Sequence, residues 1–543
     1  MSRTHISGLT KSLLLVEMIF SMSAINMSKG IAAIPDKTLV YCFDVSPAGF
    51  DANQARSIPE LTTSAAPLYN RLIEFERGGM KLEPGLAESW DISKDGKVYT
   101  FHLRRGVKFH STPWFKPTRE FNAEDVLFTF ERMRNPNMPF RKAYPVEFTV
   151  FHHFGLDKVI SRIEALDEGY AVRFTLNTVQ APFILFLAAH ATSILSAEYA
   201  AQLLKAGKPS DISWKPVGTG PFIFENYDKD ATIRFKGNPE YWKPDEVWLS
   251  RLIFDITPDA AVRAQKLKAD ECQVATHLRS TDIPTFEYDL HFQVLKSPGF
   301  NMSYLAYNAT HKALSDVRVR RALDMAIDKQ AIIDQVYEGH AQIAVAPMSP
   351  LQWSYDNTLQ DAPRNLEKAK ALLKEAGYPN GFTLSLWSPH SIGTNPNPQL
   401  TAAMIQSDWG KIGVKARIAS YEVAEYLRRA FKGEHDALLA GKVSNVPDPD
   451  NWLQSLSSDA ARNGFNFSRW RNQTFDALLQ TAVQNLNIDE RTQLYLKAQK
   501  IFKQEQPFTP IAYVTDYQVI NKHVTGFKIN PLGPTIFSGV GLK

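Results

Sequence analysis

Two adjacent histidines in Phe151-His-His-Phe154 are, by residue type, the chain's best candidates for holding a metal or a haem iron. Read as an extended strand, neighbouring side chains point to opposite faces, so the two cannot easily share one ion. The segment is therefore expected at the surface or at a core edge, and no metal or cofactor is expected. No Gly-x-Ser-x-Gly turn, His-Glu-x-x-His helix or Cys-x-x-Cys pair occurs. Serine hydrolysis, zinc proteolysis and thiol exchange thus lack their usual motifs, and the chain does not read as an enzyme. The Gly- and Pro-rich run Lys215-Pro-Val-Gly-Thr-Gly-Pro-Phe222 has no Gly-Lys-Ser/Thr and leads into an alternating segment. It reads as a loop entering a hairpin, not a phosphate cradle. The two cysteines, Cys42 and Cys272, are compatible with one disulfide or with two buried thiols, and their spacing does not decide between them.

The elements that must position any site are drawn from 543 residues, enough for two to four structural units. A composition of 44% hydrophobic, 22% charged and 11% aromatic residues supports a large core rather than disorder. The net charge of +4 is spread along the chain, so no nucleic-acid or membrane-surface footprint is marked. At the start, Arg3, His5 and Lys11 precede Leu13-Leu-Leu-Val-Glu-Met-Ile-Phe20 and then Gly30-Ile-Ala-Ala33. These are the three parts of a secretory signal, expected over 1–33 and interrupted only by Glu17. No later segment has the roughly 18–20 apolar residues of a membrane span. A lipid anchor at Cys42 is excluded by the bulky Val40 and Tyr41 before it.

From residue 38 onward strand and helix signals alternate. Thr38–Phe43, Lys97–Arg104 and Tyr170–Leu176 read as strands. Asn122 is placed to cap a helix over 122–132, with Glu124 and Asp125 in its first turn. After about residue 297 the pattern restarts, with strands over 302–308, 382–387 and 414–419 and helices over 315–327, 366–377 and 399–412. This order predicts two α/β units, the second built on a largely parallel sheet.

A series of segments then carries a family resemblance. Leu39-Val-Tyr-Cys42, Pro67-Leu-Tyr-Asn-Arg-Leu72, Pro84-Gly-Leu-Ala-Glu-Ser-Trp90 and Tyr99-Thr-Phe-His-Leu-Arg-Arg-Gly-Val107 come first. Pro216-Val-Gly-Thr-Gly-Pro221, Asp316-Val-Arg-Val-Arg-Arg-Ala-Leu323 and Asp448-Pro-Asp-Asn-Trp452 follow in order. Together they resemble the dipeptide-binding branch of the peptide/nickel/opine solute-binding proteins of ABC importers, over about residues 38–540. The resemblance implies a two-lobed α/β periplasmic-binding-protein fold with two hinge crossings and an extra subdomain in the first lobe. It implies lobe I over 34–298 with a return over 512–543, lobe II over 299–511, and crossings near Gly299–Tyr304 and Thr509–Tyr513. It implies a periplasmic monomer that captures a small peptide-like solute and passes it to an inner-membrane ABC permease, without nucleic acid. It also implies that Cys42 and Cys272 are paired.

The resemblance points to a ligand site over Gly441-Lys-Val-Ser-Asn-Val-Pro-Asp-Pro-Asp450 and over Trp387 to Ile392. Relatives place an aspartate for the peptide ammonium where Asn445 stands, and a tryptophan where Lys442 stands. They place an arginine for the terminal carboxylate near Ile392, where this chain has none. Gly441, Lys442, Asn445, Asp448, Asp450, Trp387 and Ile392 are thus candidate ligand residues with an altered charge pattern. Either the ligand lacks a free zwitterionic dipeptide backbone, or Asp448 or Asp450 replaces the missing anion through a shifted loop. The alternative cargo is a non-dipeptide solute: glutathione, haem, an opine or an oligosaccharide.

Overall fold

One long strand, Phe508–Asn521, organises the computed structural model, which describes residues 37–543. Its first half pairs antiparallel with Asn301–Tyr307 and Ala341–Ile343. Its second half pairs antiparallel with Phe292–Pro298 and Val274–Ala275. A single element thus stitches two lobes into one twelve-stranded mixed sheet, and Pro298 to Asn301 makes the second crossing. The signal segment expected over 1–33 lies outside the described residues.

Beyond the crossing in the first lobe, Thr38–Phe43 and Arg251–Ile256 run parallel. The hairpin Phe222–Asp228 and Thr232–Gly237 completes that edge. A separate antiparallel sheet of Ala87–Ile92, Val98–Leu103, Ala171–Leu176 and Ile160–Leu166 forms the extra subdomain. Period-two alternation turns Tyr99, Phe101 and Leu103 inward onto an aromatic core that includes Phe174 and Phe183. In the second lobe Thr383–Pro389 runs parallel to both Lys415–Tyr421 and Ala437–Val443. The sheet then turns antiparallel at Asn301–Tyr307, so it is mixed rather than largely parallel. The reason is topological: a chain that leaves one lobe and later returns must run its crossing strands in opposite directions.

Local rules place the helices. Asn122 accepts the Glu124 N–H at 2.9 Å, while Asp125 reaches back to the Asn122 N–H at 3.0 Å, a capping box that opens Ala123–Arg134. Gly377, at φ +90°, follows the helix Leu366–Glu375 with the left-handed residue that ends it. The histidine pair departs from the strand reading: Thr149–His153 is a short helix. His152 faces Asp157 at 3.3 Å, and His153 turns toward the other lobe. Cys42 and Cys272 form a fully buried disulfide across a sequence separation of 230. Closing so long a loop is worth about 5 kcal/mol in the chain-entropy model.

Candidate functional site

The strand Ala437–Val443 separates the predicted ligand residues onto two faces. It pairs with Asn301–Tyr307 so that Gly441 stands opposite Ser303 and Lys442 opposite Met302. Alternation puts Leu439 with Leu305 on one side of the sheet, and Leu438 and Ala440 with Met302 on the other.

On the first face, a tight turn lies over Gly441. The turn is closed between Ile392 and Asn395, whose N–H donates to the Ile392 carbonyl at 3.0 Å. Asn395 accepts the Asn397 N–H and donates to Thr401, both at 3.0 Å. The Tyr337 hydroxyl donates to the Thr394 carbonyl at 3.1 Å. A Cβ at position 441 would come within 2.0 Å of Thr394 Oγ1 and 3.1 Å of Ile392 Cδ1. Glycine is thus required by close approach and not by its dihedral angles. Thr394 Oγ1 is buried and has no protein partner among the described residues.

On the second face, the Lys442 ammonium donates to the carbonyls of Asn451 at 2.7 Å and Trp452 at 3.2 Å, and sits 5.7 Å from the Trp452 ring. Those carbonyls lie toward the end of the short helix Pro449–Leu453, where a cation is favoured. Burial nevertheless pushes Lys442 down to about 7, with Asp450 pulling weakly the other way. Asp450 is pushed up to about 7 by its own burial and by the charge of Asp448. No carboxylate lies within 4.0 Å of the Lys442 nitrogen among the described residues.

Asp448 is differently placed. It caps the same helix through the Asp450 N–H at 3.0 Å and pairs with Arg491 at 2.8 Å, both side chains almost wholly buried. Burial still raises its carboxyl, against the pull of Arg491. Asn445 is half-buried and makes no side-chain hydrogen bond among the described residues. It sits between Ser444, which bonds the Val446 carbonyl and Asn451, and Val446 itself, which is buried with the first lobe's apolar residues. The loop carrying Asn445 therefore reaches across the cleft.

The first lobe contributes His153, whose ring lies 5.8 Å from Phe465. The surrounding protein and the charge of Lys442 hold this imidazole below its ordinary value. Trp387 stands beside Leu438 on the same face as Lys442, 3% exposed, against Tyr421 at 4.8 Å and under the Arg429 guanidinium at 4.9 Å. The structure thus gathers Ile392 and Gly441 on one face, and Lys442, Asp448 and Asp450 near the other. Thr394, Arg491, His153 and Phe465 were not picked out as ligand residues from the sequence. Only His153 had given a signal, as part of a metal candidate.

A small recess beside Lys442 has a cavity volume of about 10 Å³, room for about one water molecule. Met302, Tyr304, Phe467 and Phe508 wall it, and Phe465 is part of its lining.

Comparison with known proteins agrees with the fold. The model of the bacterial extracellular solute-binding proteins, family 5 (middle region), matches residues 81–464. Di/tripeptide-binding protein 3 of Pseudomonas aeruginosa (strain UCBPP-PA14) is 55% identical over 503 residues, covering 92% of this chain and 94% of that protein. The structure of HbpA2 from Haemophilus parasuis superposes with a TM-score of 0.85 at 43% identity, covering 93% of this chain and 100% of the other. A dipeptide-binding protein from Pseudoalteromonas sp. SM9913, in complex with Met-Leu, gives a TM-score of 0.84 at 35% identity, with 93% and 100% coverage.

Proposed function

Since the chain belongs to the bacterial extracellular solute-binding proteins of family 5, we propose that it captures a short peptide or peptide derivative between its lobes and delivers it to an ABC importer. The observation that carries this reading is the bridge made by Phe508–Asn521 and by Pro298 to Asn301. Two backbone crossings let the lobes rotate as bodies while their cores stay intact. A ligand that touches both walls binds the closed state better than the open one, and this differential affinity drives closure. The Met-Leu complex of the 35% identical relative supports a peptide as the ligand.

The lobes are read as 34–298 with the return 512–543, and 299–511. Gly441, Lys442, Asn445 and Ile392 line or border the ligand, with Asp448, Asp450 and Trp387 supporting them. The protein acts as a periplasmic monomer after removal of 1–33, and the membrane permease and its ATPase perform the energy-requiring step. Thermal denaturation of the purified protein with dipeptides, tripeptides and haem tests the reading. A peptide at about a hundred times its dissociation constant should stabilise the fold by about 2.7 kcal/mol. Stabilisation by haem with none by any peptide would overturn it.

A further inference from the structure

Away from the two crossings the lobes meet again, through contacts between protein groups. The helix Gln473–Val483 of the second lobe ends, as helices do, with carbonyls that its own turns cannot satisfy. Arg491 donates to the Ala482 carbonyl at 3.1 Å. The Val483 carbonyl accepts the N–H of Ala181, a first-lobe residue, at 2.7 Å. Just beyond, Leu486 lies on the first lobe's turn over 93–96: a Cβ at Gly96 would stand 2.6 Å from Leu486 Cδ1.

The segment carrying Leu486 is held stiff by its own hydrogen bonds. Asn485 accepts the Asn487 N–H at 2.8 Å and donates to Glu490 at 2.6 Å. Asn487 caps the helix Ile488–Glu505 through the N–H groups of Asp489 at 2.9 Å and Glu490 at 3.2 Å. Leu486 is thus presented to the other lobe in one position. His153 and Phe465 add a ring contact between the lobes at 5.8 Å. Val446, on the second lobe's loop, is fully buried among the first lobe's apolar residues. None of these residues lies on a crossing strand.

The contact at Leu486 is thin. Leu486 is 49% exposed, and beside it a groove of about 610 Å³ runs between Asp95 and Val179 of one lobe and Gln480 and Gln484 of the other. An interface so small and wet biases the position of two lobes rather than locking it.

We infer that these contacts form a latch that keeps the lobes mostly closed in the ligand-free protein, with Leu486 on Gly96 as its catch. The inference rests on the reading above in that the lobes rotate about the crossings. It goes further in stating where that equilibrium stands before a solute arrives. Such a latch raises affinity, because little binding free energy goes into closing the lobes. It also gates entry, because the cleft admits a solute only during openings, so the association rate levels off at high solute concentration.

Small-angle scattering of the whole protein, freed of carried-over solute, tests the latch. Wild type should give the compact profile of closed lobes, unchanged by saturating Ala-Leu. Leu486→Asp sets a carboxylate against the turn that carries Asp95, and should give a more extended profile that Ala-Leu returns to the wild-type one. In stopped flow, association should level off for wild type and stay linear in peptide for the variant. The variant's affinity should fall about tenfold, as expected where about one molecule in ten remains closed. Val446→Ser, at a separate contact, should act in the same direction, and circular dichroism reports whether each variant is folded. Should neither fold, the wild-type profile decides alone. An extended ligand-free wild type, or a folded Leu486→Asp as compact as wild type, overturns the latch and leaves peptide capture standing. If no peptide binds, the capture reading falls, and the ligand-free profiles still decide the latch.

Discussion

The two sides of the helix Pro449–Leu453 are both buried and both charged, yet they are built oppositely. On one side Asp448 meets Arg491 at 2.8 Å and caps the helix as well. On the other, Asp450 and Lys442 influence each other without reaching ion-pair distance, and both are displaced to about 7. The first is a matched pair, in which each charge offsets the other's desolvation. In the second the cost of burial falls on each group separately. A matched pair holds a backbone in place, and an unmatched one leaves charge free to respond to a ligand. The contrast gives Asp448 a structural partner in Arg491 and leaves Lys442 and Asp450 without an ion pair.

The largest expected effect comes from breaking the matched side. Asp448→Asn keeps an acceptor for the helix cap but leaves the Arg491 guanidinium buried without its countercharge. That should cost about 3–5 kcal/mol in a denaturant titration. A loss below about 1 kcal/mol would mean that Arg491 finds another partner, and the contrast would fail.

The unmatched side should behave in the opposite sense. Burial raises the carboxyl of Asp450, so the fold prefers its protonated form. As pH climbs from the unfolded value of about 4 to about 7, the unfolded chain releases this proton before the folded one does, and stability falls. Lys442 is lowered, so between about 7 and about 10 the folded chain is the one that has already released its proton, and stability recovers. Asp450→Asn should therefore leave stability near pH 4 unchanged and raise it by about 2–4 kcal/mol near pH 8. Urea titrations across that range would check it. A variant less stable than wild type at pH 8 would show that Asp450 is matched after all.

How much of this was legible in the sequence follows from how local each signal is. The strand Val98–Leu103 and the cap at Asn122 depend on neighbours a few positions away, and both stand where the sequence put them. The mixed sheet was not legible, because the direction of Phe508–Asn521 depends on a return from the other lobe. The histidine pair was misread because a five-residue helix leaves too short a period to distinguish from a strand. The segment around Gly441 stood out by resemblance, but the opposite facing of Gly441 and Lys442 needed the strand register. The Arg491–Asp448 pair spans 43 positions, and the turn over Gly441 comes from a different strand's end, so neither leaves a local pattern.

The same contrast holds in weaker form on the uncharged face. Thr394 Oγ1 is buried against Gly441 without a protein partner, while the Thr394 carbonyl is satisfied by Tyr337. A hydroxyl so placed costs the fold about 1–3 kcal/mol relative to an apolar group of the same shape. Valine is that shape, so Thr394→Val should raise stability by about 1 kcal/mol. A hydroxyl that only destabilises the fold has its use elsewhere, and the neighbouring Ile392 and Gly441 place it at the proposed cleft. Peptide affinity should therefore fall about threefold in the same variant, the order of one neutral hydrogen bond. Stability and affinity moving in opposite directions would mark Thr394 as a group kept unmatched for a ligand. If both fall together, Thr394 belongs with Asp448, as part of the scaffold.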